Sequence, residues 1–305
     1  MQSLWMLLAC AMFAMMGAFV KVAASLGASL PEIVLFRGVP SVLLLLFWVR
    51  STHRAIRPTS WRLHVWRNVA GITSMWLGFY ALFYLPLPTA TSLNYTAPLF
   101  IAGWLLVAGG AQRDPVRILA VVAGFLGVLG VLRPSITHDQ WFPAFMGLGA
   151  GALAAIAMMQ IRQLGRIGEP EWLTVLLFSC GVVISSLVGL SFVGWHTHDP
   201  LALLSLTGLG SAGLVGQLAM TRAFGLGSTL LTAALQYMTI IFAALIGVVF
   251  WGDRPAFLAW AGIALIIGSG LLSIWRTYSE ARMLRGASVS ATAQAATVIQ
   301  EDSSS

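Results

Sequence analysis

PTATSLNYTAPLFIAGWLLV, Pro88 to Val107, is the stretch that decides the fold. Its twenty residues are enough to cross about 30 Å of hydrocarbon as a helix. Yet it carries Thr89, Thr91, Ser92, Asn94, Tyr95 and Thr96, followed by Pro98. A helix facing lipid all round would leave that amide and that phenol desolvated, at a cost of several kcal/mol. The pattern returns in STLLTAALQYMTIIFAALIGVV, Ser228 to Val249. At an offset of 142, Asn94-Tyr95 falls on Gln236-Tyr237. Leu93, Phe100, Ala102 and Val107 then meet Leu235, Phe242, Ala244 and Val249. Two polar membrane segments in one chain predict a duplicated protein with a site between its halves.

Composition agrees. Of 305 residues, 58% are hydrophobic and 9% charged, against about 25% charged in soluble domains. The class is an integral membrane protein built of helices, because the residue alternation of an outer-membrane barrel is absent. Ten apolar runs are read as spans: 4–26, 32–49, 66–85, 89–108, 115–132, 143–163, 171–194, 200–224, 228–250 and 255–275. Pro40 is an expected interior break of the second span, while Pro115, Pro143, Pro170, Pro200 and Pro255 suit first helical positions. The first run lacks a basic leader and contains Lys21, so it reads as a retained helix rather than a cleaved signal. Cys10 and Cys180 lie inside apolar runs and imply no disulfide framework. The net charge of +7 comes almost wholly from arginines in short loops, which argues against a nucleic-acid partner.

Those loops orient the chain. With the N-terminus inside, thirteen of the seventeen basic residues are cytoplasmic, which places both termini in the cytoplasm of a bacterial inner membrane. Five spans per half make the second copy enter from the opposite face. Lys21 before Pro31-Glu32 echoes Arg162 before Pro170-Glu171, and Gly124 and Gly130 echo Gly262 and Gly268 at an offset of 138. The expected organisation is an inverted five-plus-five repeat, 1–137 and 138–277, with a disordered cytoplasmic tail over 278–305.

Three stretches carry a resemblance: MFAMMGAFVKVAASLGASLPEIVLFRG; GITSMWLGFYALFYLPLPTATSLNYTAPLF, with FLGVLGVLRP soon after; and ALQYMTIIFAALIGVVFWGDRP. Over about Leu4 to Arg276 the chain resembles the drug/metabolite transporter superfamily, in its ten-helix EamA-type branch. The resemblance implies a central substrate cavity between the halves, lined by spans 1, 3, 4, 6, 8 and 9. It also implies a Gly-acid-Arg turn after spans 4 and 9. Gly252-Asp253-Arg254 keeps that turn, whereas Gly110-Ala111-Gln112-Arg113 lacks the acid.

The candidate site follows. Thr91, Asn94, Tyr95 and Pro98 share a helix face, as do Thr232, Gln236 and Thr239. Asn94, Tyr95, Gln236 and Tyr237 either line the cavity or bond neighbouring helices. Trp76 and Tyr80, four residues apart, offer an aromatic wall for a planar or cationic ligand, with packing as the plain alternative. Lys21 and Arg37 are the ionisable residues deepest in the first half; either faces an anionic substrate or snorkels to the interface. Gln160 and Gln217 are lone polar residues toward the cytoplasmic half. The glycine clusters 124–130, 147–151 and 208–216 read as close helix packing, not phosphate loops.

All ten acids lie near span ends, in loops or in the tail, and the five histidines are read as loop residues. No HExxH, GxSxG or paired intramembrane acid is present, so an enzyme is not expected, and no cofactor or metal is implied. The reading is a secondary transporter of a small organic metabolite, amino-acid-like or related, moved by alternating access as a monomer or homodimer. Export is the expected direction; uptake of a vitamin- or nucleoside-like compound is the alternative, and a passive channel or sensor a remote one.

Overall fold

The computed structural model describes residues 2–97, 99–100, 103–104, 115–135, 138–226, 235–254, 256–272, 275–276 and 279. These form helices α1 (Gln2–Ser25), α2 (Leu30–Ser51), α3 (Trp61–Tyr84), α4 (Leu87–Asn94), α5 (Pro115–Ser135), α6 (Trp141–Arg166), α7 (Glu171–Val193), α8 (Pro200–Leu226), α9 (Met238–Trp251) and α10 (Phe257–Leu272). No strand occurs among the described residues. Phe47, Phe192, Phe250 and Phe257 are 76%, 84%, 76% and 88% exposed. A surface of that kind has lipid as its solvent, and this is a ten-helix, multi-pass membrane fold.

Chain breaks are set locally. Glu32 caps α2 by accepting from the Ser29 N–H and hydroxyl, each at 2.7 Å. Gly194 and Gly252 close α7 and α9 at φ 82° and 63°, where a side chain is disfavoured. The expected break at Pro40 does not occur, and α2 runs through it. Pro40 cannot donate to the Phe36 carbonyl; that carbonyl lies against Gly210, which lets α8 come close.

The packing is reciprocal. The most extensive contacts are α1 with α8, α3 with α6, and α2 with α7. Under exchange of α1–α5 with α6–α10, the first two pairs swap and the third maps on itself. α5 and α10 cross at glycines: a Cβ on Gly127 would stand 2.8 Å from the Gly262 carbonyl, and one on Gly130 3.2 Å from the Gly262 Cα. So the glycines do serve close packing. Those at 208, 213 and 216 likewise seat Phe19, Arg37 and Phe13.

Each repeat also clamps the other through a buried acid. Glu32, fully buried, accepts from the His196 N–H at 2.8 Å and faces His198 Nε2 at 3.1 Å, both on the α7–α8 connection. Glu169 accepts from the Thr59 N–H and faces His64 Nε2, each at 3.0 Å, on the α2–α3 connection and the start of α3. The two clamps lie at opposite ends of the bundle. One reading needs correcting here. α3 begins five residues before the expected span, so His64, read as a loop residue, is helical and buried at 2% exposure, and Arg67, at the expected edge of the span, is buried at 5%. A histidine paired with a carboxylate, and an arginine whose stem lies on apolar surface, need not stay in a loop.

Candidate functional site

Both polar segments are interrupted helices. α4 ends at Asn94, Tyr95 and Thr96 form a turn, and helical backbone resumes at Ala97. The Thr96 N–H bonds to the Leu93 carbonyl at 3.2 Å and the Leu99 N–H to the Thr96 carbonyl at 2.9 Å. In the second copy Leu235 is helical, Gln236 and Tyr237 form the turn, and α9 starts at Met238. The Thr239 and Ile240 N–H groups bond to the Gln236 and Tyr237 carbonyls at 3.0 and 3.1 Å. Such tight three-residue bonds cost helix regularity and are tolerated inside a membrane where protein buries them. Pro98, Thr232 and the 278–305 tail expectation fall outside the described residues, Ser279 apart.

The surroundings of the two breaks match. The Cys10 thiol of α1 lies 3.2 Å from the Leu235 carbonyl and 3.9 Å from that of Gln236. Its counterpart is Gly151 of α6, 141 residues on; a Cβ there would stand 2.8 Å from the Leu93 carbonyl and 3.5 Å from that of Asn94. Gly78 of α3 lies beneath the Asn94 amide, since a Cβ would meet its Nδ2 and Oδ1 at 3.0 Å. Met220 of α8, 142 residues after Gly78, receives the Gln236 Nε2 on its sulfur at 3.9 Å. Position for position, each break is flanked by one helix of its own repeat and one of the other.

The tyrosines then diverge. Tyr95 faces Thr239 and Cys10, close enough to interact with both. Tyr237 turns away, its hydroxyl buried against Gly270 of α10. Asn94 Oδ1 and Tyr237 Oη are buried without a hydrogen-bond partner among the described residues. Orphaned polar atoms of this kind inside a bilayer are where a ligand is expected.

Other candidates separate into five places. Arg37 reaches Gln217, its Nη2 donating to Oε1 at 3.2 Å, so these two come together. Gln217 stands one turn before Met220 on α8, which brings this pair toward Gln236. Lys21 sits over the Trp251 ring at 5.4 Å and feels the charge of Asp253, beside the α9–α10 turn. Trp76 leans on α7: its indole N–H donates to Ser185 at 3.2 Å and its ring meets the space at Gly189. Tyr80 stacks with the exposed Tyr84 at 4.8 Å and Phe142 at 5.8 Å, an interfacial aromatic cluster apart from the breaks. Gln160 lines a cleft of about 480 Å³ with Ser60, Arg62, Leu63, Trp66 and Gln163, at the end of the bundle where α3 begins and α6 ends.

Sequence reasoning missed Arg67 and the Glu169–His64 pair. For Glu169, burial alone would raise the carboxyl, but the bonds from Thr59 and His64 outweigh it and hold it below the ordinary carboxylate range. Within the described residues, no group of three or more His, Cys, Asp or Glu is arranged to hold a metal ion.

Residues 1–133 and 141–275 each match the EamA-like transporter family. The chain is 32% identical over 260 residues to the pseudopaline exporter CntI of Pseudomonas aeruginosa, covering 84% of this chain and 89% of the relative. It is 26% identical over 258 residues to the S-adenosylmethionine uptake transporter of Rickettsia prowazekii, covering 83% and 84%. A solved crystal structure at 14% identity shares the fold, with a TM-score of 0.64 over 89% of this chain and 96% of the other.

Proposed function

Because the chain belongs to the EamA-like transporter family, we propose that it is a secondary transporter that exports a small organic metabolite across a bacterial inner membrane by alternating access. The carrying observation is the pair of helix breaks at Asn94-Tyr95 and Gln236-Tyr237, with matched neighbours in opposite repeats. In this reading the repeats are 1–137 and 138–277, and substrate binds between them. Asn94, Tyr95 and Gln236, with Arg37 and Gln217 alongside, contact it. Half-helix ends and an unsatisfied amide are the means by which a membrane protein offers polar groups to a solute at mid-depth. Rocking of one repeat on the other would open the site to each side in turn. The Glu32 and Glu169 clamps would be remade in each cycle.

Export is favoured by the exporter relative, whose name specifies pseudopaline. Uptake is the second reading, supported by the relative that takes up S-adenosylmethionine. The arginine distribution supports a cytoplasmic location for both termini. A reporter fused after Arg285 should read cytoplasmic; a periplasmic signal would refute that topology. Function is tested by counterflow in proteoliposomes with a panel of amino acids, nucleosides, vitamins and organic acids. Saturable counterflow of one solute, weakened by both Asn94→Ala and Gln236→Ala, is expected. Flux that never saturates would identify a channel instead.

A further inference from the structure

Resting on the transporter reading, we infer that Arg37 and Arg67 together form a carboxylate clamp, and that the substrate is an organic anion bound through a carboxylate. Both arginines are buried at 5% exposure. They start from opposite ends of the bundle, Arg37 in the second turn of α2 and Arg67 in the second turn of α3. Both reach the same part of α7: Gly38, next to Arg37, packs on Val182, Val183 and the Ser179 carbonyl, and Arg67 lies over the ring of Phe178, one residue before Ser179. The two charges are near enough to interact.

Each runs along a glycine. A Cβ on Gly213 of α8 would stand 2.7 Å from Arg37 Cδ and Nε, and one on Gly71 would collide with Arg67 Nη1. The Arg67 guanidinium is stacked over Phe178 at 3.9 Å, which fixes its plane. Its Nε and Nη1 are buried and have no hydrogen-bond partner among the described residues.

No protein carboxylate neutralises this pair among the described residues. Glu32 is held by Ser29, His196 and His198, and Glu169 by Thr59 and His64. Glu171 is coupled to Arg222, and Asp253 to Lys21. Among the described residues, the polar group that bonds to this pair is the neutral Gln217 amide, on Arg37. Two buried cations with no countercharge are disfavoured in a membrane protein and are retained there for a function. A guanidinium fork matches a carboxylate, and a second one beside it supplies the remaining charge. The equivalent positions of the second repeat are not arginines. At the α2–α7 offset of 139 Arg37 falls on Leu176, and at the α3–α8 offset of 142 Arg67 falls on Leu209; both leucines are buried, at 1% and 0% exposure.

The test uses purified full-length protein at constant ionic strength. Thermal unfolding is measured for wild type, Arg37→Gln, Arg67→Gln and Arg67→Lys with succinate, citrate, N-acetylglutamate, inorganic phosphate and neutral succinamide. A carboxylate should raise the wild-type midpoint by several degrees when far above its Kd. Both glutamine variants should abolish that shift, and Arg67→Lys should keep part of it. Without ligand, Arg67→Gln should melt no lower than wild type, because removing an uncompensated buried charge costs little. The clamp is overturned if no carboxylate gives a shift that both glutamine variants abolish, or if phosphate or succinamide alone does so. Counterflow of the stabilising carboxylate separates the two claims. A bound carboxylate that shows no counterflow sinks the transporter reading and leaves the clamp. Counterflow confined to neutral solutes does the reverse.

Discussion

The two repeats share a backbone plan but divide the chemistry unequally. Gly78 and Gly151 leave the break in α4 crowded by backbone, whereas Met220 and Cys10 fill the same places around the break before α9. Tyr95 looks toward the other repeat, while Tyr237 buries its hydroxyl against α10. Among the described residues, the buried arginines, Arg37 and Arg67, both come from the first repeat. Duplication thus supplies two matched helix breaks, and divergence leaves different polar groups around each; in the proposed reading the binding groups lie mostly in one half. A carrier needs both properties: equal doorways on the two sides, and one asymmetric ligand in the middle.

The clamps give the largest expected difference. Glu32 holds Ser29, His196 and His198, whereas Glu169 holds Thr59 and His64. Removing one partner of a buried charged cluster costs about 3–5 kcal/mol, so Glu32→Ala should lower stability by roughly that amount. Glu169→Ala, with fewer bonds to lose, should cost about 1–3 kcal/mol. Unfolding of the two variants in detergent decides it, and the reverse ranking would break the comparison.

Next come the matched neighbours of the breaks. Gly151→Val should destabilise by about 1–3 kcal/mol through overpacking on the Leu93 carbonyl. Cys10→Ala should cost less, since only a weak thiol contact and a small volume are lost. If both substitutions are equally mild, the breaks are not packed alike.

The smallest effect is in pH. Glu169 has its folded pKa depressed, so its contribution is complete above the ordinary glutamate pKa of about 4.3 and fades as pH falls through the folded value. The stability gap between wild type and Glu169→Gln should therefore shrink on acidification below about pH 4. A gap that widens would show that the carboxyl is held protonated.

Much of this was legible in the sequence. Hydropathy over helix-length runs located helical segments, and six polar residues within Thr89–Thr96 marked an unusual span, but the shared helix face expected for Thr91, Asn94 and Tyr95 gave no sign of the turn that ends α4 at Asn94. The offset of 142 linked the two polar segments because each sets an amide before a tyrosine among matching apolar residues. What stayed hidden lacks a local signature. Glu32 meets His196 across 164 residues, and nothing periodic connects them. Arg67 stands at the edge of an expected span, where charge normally meets water, but the Phe178 ring and the Gly71 gap let it lie inside. Pro40 was read as a break because the cost of its missing N–H is visible in sequence, while the close approach of Gly210 is not. Trp76 and Tyr80 share a helical spacing, yet one leans on α7 and the other joins Tyr84 and Phe142.

The central claim is that the two breaks face one site reached from each side of the membrane in turn. It is tested most directly by cysteine accessibility. In a background carrying Cys10→Ala and Cys180→Ala, single Asn94→Cys and Gln236→Cys variants are treated with a membrane-impermeant maleimide, from outside intact cells and on inverted vesicles. The account predicts modification of both positions from both sides, with protection by the transported solute. Labelling of either position from one side only, or from neither, would contradict it.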